Sequence, residues 1–160
     1  MKIEDLIHEL KEYSQSEIIF IGLGNEYRSD DGAGLVFIDK LINSPYFLNS
    51  HFIRAGTNPE NYLQQILNTD GRIIIFIDAI FGTLNEENIF FLSPEEEDTL
   101  KISTHSFSLK LIEKFLLFEK IFVFKYLCIK GYEKRFGNGL STELQISLDD
   151  FFGKTVEIKS

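Results

Sequence analysis

The chain has 160 residues, a length suited to one domain around one core, and 44% of it is hydrophobic, with 16 phenylalanines to fill that core. A formal net charge of -9 without a visible basic face argues against nucleic acid as a partner. Cys128 is the sole cysteine, so no disulfide can close within the chain; there is no basic leader followed by an apolar stretch, and no apolar run nears the roughly 20 residues of a membrane span, so a soluble, cytoplasmic protein without membrane insertion is expected.

Residues 3–13 carry Ile3, Leu6, Ile7, Leu10 and Tyr13 at helical spacing, an amphipathic helix ahead of the first strand. Residues 18–21, Ile-Ile-Phe-Ile, form a short buried strand. A helix over 32–42 is stopped by Asn43, Ser44 and Pro45. Residues 51–55 make a second strand. Asn58-Pro59-Glu60 then reads as a helix start: Asn caps, Pro takes the first turn and Glu complements the dipole. That helix runs to Leu67, and 68–71 turn the chain.

Residues 73–77 are apolar at every position, as in a central parallel strand covered on both faces, and the run ends in Asp78. Residues 88–92 suit an antiparallel edge strand. The acidic run 95–98 reads as a solvated loop or helix start. Behind Ser103-Thr104-His105-Ser106, a helix over 107–118 places Leu109, Ile112, Phe115 and Leu116 on one face. Residues 121–129 form the last strong strand, with Cys128 inside it as a buried structural thiol. Ser141 or Thr142 caps a final helix through Leu148 and Phe151.

Alternating strands and helices give a single α/β domain over 1–160, with 1–16 as an extra N-terminal helix. Its architecture is a three-layer sandwich: a twisted, mostly parallel sheet of about five strands flanked by helices. In such sheets ligands gather beyond the carboxyl ends of the strands. Asp31 follows the first strand, Asp78 ends the third, and His105 lies in a loop leading into a helix. All three can reach one crevice.

Two carboxylates and an imidazole suit a borderline divalent metal and leave positions open for water or substrate. The competing readings are structural. Asp31 can be a helix N-terminal charge, Asp78 a turn former at a strand end, and His105 a capping or surface histidine. His8 and His51 are read as structural. A dinucleotide site fits badly: Gly22 and Gly24 begin G-x-G-x-x-G, but Tyr27 stands at the third glycine. Paired acids at the helix start would also repel a pyrophosphate. Neither a P-loop nor a Gly-x-Ser-x-Gly elbow occurs. Adjacent Asp30 and Asp31 diverge by about 100° at a helix start, so they do not make a proton-sharing dyad.

Four segments together resemble the hydrogenase maturation endopeptidases, which trim the C-terminal extension of nickel-iron hydrogenase large subunits. The stretch Gly22-Leu23-Gly24-Asn25 through Asp30-Asp31-Gly32-Ala33-Gly34 is similar to the family's first motif. Ala55-Gly56-Thr57-Asn58 is similar to the second, Ile74 through Asp78-Ala79 to the third, and Thr104-His105 with its following helix to the fourth. Ile129-Lys130-Gly131-Tyr132 departs from the Gly-x-Gln-Pro of many members, while 135–141 resembles the loop and helix start that follow.

The resemblance implies an aspartyl-type endopeptidase whose Asp31, Asp78 and His105 bind metal and act in catalysis. That metal is nickel carried by the precursor, so no permanently bound cofactor is expected and the partner is the large-subunit precursor. Gly22, Gly24, Asn25, Arg28, Asp30, Gly56 and Thr57 would shape the substrate cleft, with Asp30 as a helix cap beside the ligands. Two other functions stay open at this level: a non-hydrolytic nickel-checking module for the large subunit, and a small-ligand or nucleotide-binding α/β protein.

Overall fold

The computed structural model describes residues 1–93, 95–96, 106–137 and 139–153, with only the backbone described at 106–108. Helix α1 spans Ile3–Glu9, strand β1 Ile18–Leu23, helix α2 Ala33–Ile42 and strand β2 His51–Gly56. Helix α3 is Leu63–Leu67, strand β3 Ile73–Ile80 and strand β4 Ile89–Phe91. Helix α4 is Ser106–Glu119, strand β5 Val123–Lys130 and helix α5 Thr142–Phe152. The strands form one five-stranded sheet in the order β2-β1-β3-β5-β4, parallel except for β4, which pairs antiparallel to β5 at the edge. The expected three-layer α/β sandwich is therefore borne out.

Alternation along the strands builds the two cores. Ile73, Ile75, Ile77 and Ala79 of β3 face α1, α2 and α5. Ile74, Phe76 and Ile80 face the opposite layer, which holds α3 and α4. Both faces of β3 are covered and all its residues are buried, which is why its sequence is apolar without a polar phase.

Helix α1 belongs to the first of these layers, packed on one face of the sheet. Ile3, Leu6 and Leu10 are buried in that core, while Glu9 meets Lys125 of β5 at 3.4 Å. The helix is shorter than its apolar spacing predicts. After Glu9 the backbone closes tight turns, Lys11 N–H to His8 O and Tyr13 N–H to Leu10 O, which bring the chain round to β1.

Other boundaries also shift for local reasons. Instead of one helix, 59–67 is a 3₁₀ turn, Pro59–Tyr62, followed by α3. Asn58 does not cap it; its side-chain amide donates to Thr57 Oγ1 at 3.2 Å. Glu95 and Glu96 open a helical turn in which Ser93 N–H donates to Glu96 Oε1 and Glu96 N–H to Ser93 Oγ. The rest of the acidic run lies outside the described residues. On α4, Leu109, Ile112 and Leu116 are buried as expected, but Phe115 is 46% exposed. A step of one residue turns a helix by about 100°, which carries Phe115 off the Leu116 face and into line with Leu111.

Helix α2 lies unusually close to the sheet. A Cβ on Gly22 of β1 would sit 2.7 Å from the Gly34 carbonyl oxygen and 2.6 Å from Ile38 Cγ1. One on Gly34 would overlap the carbonyl oxygens of Leu23 and Ile77. These paired glycines let the first turn of α2 rest directly on the ends of β1 and β3. The sheet changes direction there too: β1 connects outward to β2, whereas the chain after β3 adds strands on the other side. A crevice opens at such a switch point.

The Gly34→Ala variant is expected to lose about 1–3 kcal/mol of stability in urea unfolding, because only a backbone shift makes room for the methyl. A loss below about 0.5 kcal/mol would contradict the close approach.

Candidate functional site

The crevice is built around Gly24. Its φ of +122° takes the chain out of β1 in a conformation that L side chains rarely adopt. Its N–H donates to Gly56 O at 3.0 Å, joining the ends of β1 and β2. A Cβ at Gly24 would overlap the Asp31 carbonyl oxygen and stand 3.6 Å from Asp78 Oδ1. The backbone of Asp31 and the carboxylate of Asp78 thus flank one residue that has room only for hydrogen.

Asp78 does not terminate its strand. β3 continues to Ile80 and stays paired with β5, Asp78 opposite Cys128, while the pairing of β1 with β3 ends at Gly22 and Ile77. The next residue of β1, Leu23, is already displaced by a bulge against β2. Asp78 is therefore the first residue of β3 past its pairing with β1. Its side chain is 4% exposed, and Oδ1 accepts the Ala79 N–H at 2.8 Å. Cys128 is buried in the core against α4, as its apolar context predicts.

From Gly24 the loop is held by its own backbone. Asn25 N–H donates to Asp31 O at 3.1 Å, Asn25 Oδ1 accepts Tyr27 N–H at 2.9 Å, and Arg28 N–H reaches Asn25 O at 3.2 Å. Residues 131–137, after β5, run alongside as a strap. Ser29 N–H donates to Gly137 O at 3.0 Å, Asp30 N–H to Glu133 O at 3.1 Å and Gly137 N–H to Tyr27 O at 2.8 Å. Ser29 holds φ at +50°, and its hydroxyl donates to Arg135 O at 3.0 Å. That conformation is uncommon outside glycine, and the bonds to the strap fix it. With these amides committed internally, the loop has no cradle of free N–H groups for a phosphate. The nucleotide-binding alternative loses its physical basis here.

The two adjacent acids have separate surroundings. Asp31 is half-buried at the end of the 3₁₀ turn Ser29–Gly32 that leads into α2. Asp30 is fully buried, and it does not cap α2 as the sequence suggests. Its Oδ2 accepts the Tyr132 N–H at 2.8 Å, the Glu133 N–H at 2.9 Å and the Ser141 hydroxyl at 2.7 Å, while Oδ1 accepts the Ser141 N–H at 2.7 Å. Burial works against the charged form, but the Ser141 amide and hydroxyl and the Tyr132 and Glu133 amides outweigh it and hold the Asp30 pKa below the ordinary aspartate value. Ser141 also accepts the Leu144 N–H at 3.3 Å, so one hydroxyl caps α5 and donates to Asp30.

The remaining predicted residues divide. Gly56 and the exposed Thr57 border the crevice beside Gly24. Arg28 is exposed on the loop, bridged through its backbone to Gly137. Gly22 faces α2 and supports the crevice from behind. His105 lies outside the described residues, and among those described no three His, Cys, Asp or Glu side chains gather as a metal site. His8 is exposed on α1 and His51 opens β2, both away from the crevice. The sequence reading missed the strap as the partner of Asp30. A signal for it was present: two acids on one tight turn point apart, so one of them faces inward and needs donors.

No protein-family model matches the sequence. The chain is 25% identical over 166 residues to a protein of Methanocaldococcus jannaschii described as a "putative hydrogenase maturation protease", a similarity spanning 97% of this chain and 94% of that one. Among solved structures it is similar to the hydrogenase maturating endopeptidase HybD from E. coli, with a TM-score of 0.68, 20% identity, and coverage of 86% of this chain and 88% of that one. It is also similar to the nickel-iron hydrogenase maturation protease HycI from Thermococcus kodakarensis, with a TM-score of 0.66, 20% identity, and coverage of 84% and 86%. The fold is that of these maturation endopeptidases, and the resemblance read from the four motifs is borne out.

Replacing Asp30 by Asn puts a donor where the carboxylate meets only donors, and is expected to cost about 2 kcal/mol or more. The folded pKa is depressed, so this contribution is full above the unfolded value of about 4 and fades as pH falls through the lower folded value. Urea unfolding of both proteins across acid pH should show the gap between them narrowing downward in pH. A constant gap would contradict an ionised, hydrogen-bonded Asp30.

Proposed function

We propose that this chain is an endopeptidase that removes the C-terminal extension from the large-subunit precursor of a nickel-iron hydrogenase once nickel is in place. The observation that carries the proposal is the junction at Gly24, flanked by the Asp31 backbone and the Asp78 carboxylate at the switch point of a sheet with the maturation-endopeptidase fold. The similarity to the Methanocaldococcus relative along nearly the whole of both chains supports the same reading.

Nickel belongs to the substrate in this proposal. Asp31, Asp78 and His105 would engage the nickel that the precursor carries, and carboxylate and imidazole donors suit that ion. A precursor without nickel lacks the group these side chains coordinate, so discrimination rests on differential affinity for the loaded form. Hydrolysis adds water to the scissile carbonyl carbon. A proton from that water is delivered to the amide nitrogen as it leaves. Asp31 is half-buried, whereas Asp78 is buried and accepts the Ala79 amide, so Asp31 is the carboxylate assigned here to take the proton from that water. On this reading the protein works in the cytoplasm, where a lone reduced cysteine is ordinary. Among the described residues, no helix is long and apolar enough to cross a membrane.

The test is mass spectrometry of a nickel-loaded, C-terminally extended large subunit incubated with this protein. One discrete C-terminal peptide should be released, and only from the nickel-loaded precursor. Asp31→Asn should slow release by about a hundredfold or more. Its stability should stay within about 0.5 kcal/mol of wild type, because the side chain is not fully buried. A stable complex with an intact precursor would favour a nickel-checking module that does not cut. Normal release by Asp31→Asn would remove Asp31 from the site.

A further inference from the structure

Helix α4 keeps large apolar side chains in water on the side away from its core contacts. Leu109, Ile112 and Leu116 are buried, whereas Leu111 is 53% and Phe115 46% exposed. Phe118, further along the helix, and Ile121, just past its end, are almost fully exposed. Leu111 and Phe115 are four residues apart and Phe118 follows by three, so they form one stripe along the helix. Single exposed hydrophobic residues are ordinary, but a contiguous stripe marks a surface that something covers.

Beside this stripe runs a groove of about 520 Å³, lined by Thr57, Glu60, Leu63, Leu111, Ile112 and Phe115. Its walls are α4 on one side and α3 with the 3₁₀ turn Pro59–Tyr62 on the other. The volume lies within the range of roughly 300–1,000 Å³ typical of clefts that take a ligand. Among the described residues of the lining Glu60 is the one charged group, and the groove suits an apolar occupant.

The position of the groove says which occupant. Its lining includes Thr57, the neighbour of Gly56, and Gly56 O accepts the Gly24 N–H at the junction flanked by the Asp31 backbone and the Asp78 carboxylate. A polypeptide held across that junction needs only to continue past Thr57 to enter the groove.

We propose that the groove between α3 and α4 binds an apolar segment of the precursor polypeptide adjoining the bond to be cut, with Leu111 and Phe115 as specificity-determining contacts. This rests on the peptidase reading above and adds to it the character of the sequence recognised. The contact is one of position and affinity; neither residue touches the reacting atoms. Phe118 and Ile121 continue the apolar surface for residues further along the bound segment.

The experiment uses the full-length protein with Leu111→Lys and Phe115→Glu, assayed in two ways against the nickel-loaded precursor. Processing kinetics separate KM from kcat, and a binding isotherm with purified precursor reads affinity whether or not cleavage occurs. Burying one such side chain changes affinity by about tenfold to a hundredfold, so each variant should raise KM and the dissociation constant by that factor with kcat nearly kept. Asp31→Asn should differ from both groove variants by losing kcat itself, measured at saturating precursor. Wild-type KM and affinity in both groove variants, with wild-type protein active, would overturn the groove while leaving the peptidase reading in place. The groove proposal falls equally if sedimentation shows the variants turning a dimer into monomers without a change in KM, since a second copy would then be the occupant. Wild-type protein that neither binds nor cuts the precursor would overturn both.

Discussion

The structure of the site depends on one buried carboxylate. Asp30 gathers two amides of the strap and both the amide and hydroxyl of Ser141. These partners stand more than 100 residues away in sequence, so a single side chain joins the first loop of the fold to its last helix. A charge so deeply buried is tolerable only with its acceptor positions met by donors, and removing a donor would leave the desolvation penalty uncompensated. The strap, the glycine loop and the start of α5 are therefore held as one unit. Asp31 owes its half-exposed position to this arrangement: its neighbour turns inward and anchors the turn, and the Asp31 backbone is set beside Gly24.

A second constraint is the space denied to side chains. Gly22 and Gly34 allow α2 to lie against the sheet, and Gly24 admits the Asp31 backbone beside the Asp78 carboxylate. Each contact involves backbone atoms, which cannot swing away as a side chain can. The ends of β1, β2 and β3 are thereby fixed relative to one another before any catalytic group is considered. Asp78 is presented because β3 keeps its pairing with β5 after β1 has turned away. The same residue at the end of a frayed strand would have no such fixed direction.

Much of this was legible in the sequence because it follows from local patterns. The unbroken apolar run of β3 announced a doubly covered strand, and the alternation of strands and helices gave the layers. The Ser141 cap and the glycine motif were visible as short-range signals. Long-range partners were not. Nothing local in Tyr132 or Glu133 announces that their amides bind Asp30, since any non-proline residue supplies an amide. Helix ends were misjudged where turns compete with the apolar period, as after Glu9 and at the 3₁₀ turn before α3. Phe115 was misplaced for a related reason: Lys110, Glu113 and Lys114 mark one polar face of α4, but the apolar arc that remains is wider than the buried stripe, so hydrophobicity alone does not say which part of that arc is exposed.

That ambiguity bears on how such a protein can serve one substrate and reject others. The crevice at Gly24 is locked by backbone contacts and by the Asp30 network, so changes to its glycines or to Asp30 disturb the fold itself. The outward residues of α4 are free of that coupling. Leu109, Ile112 and Leu116 secure the helix to the sheet, and Leu111, Phe115 and Phe118 can change without loosening it. Under the proposed peptidase reading, a division of this kind would let recognition vary while the groups around the cut bond stay fixed. On the groove proposal the helix is apolar on more than one side because the inward residues hold the fold and the outward ones meet the precursor segment.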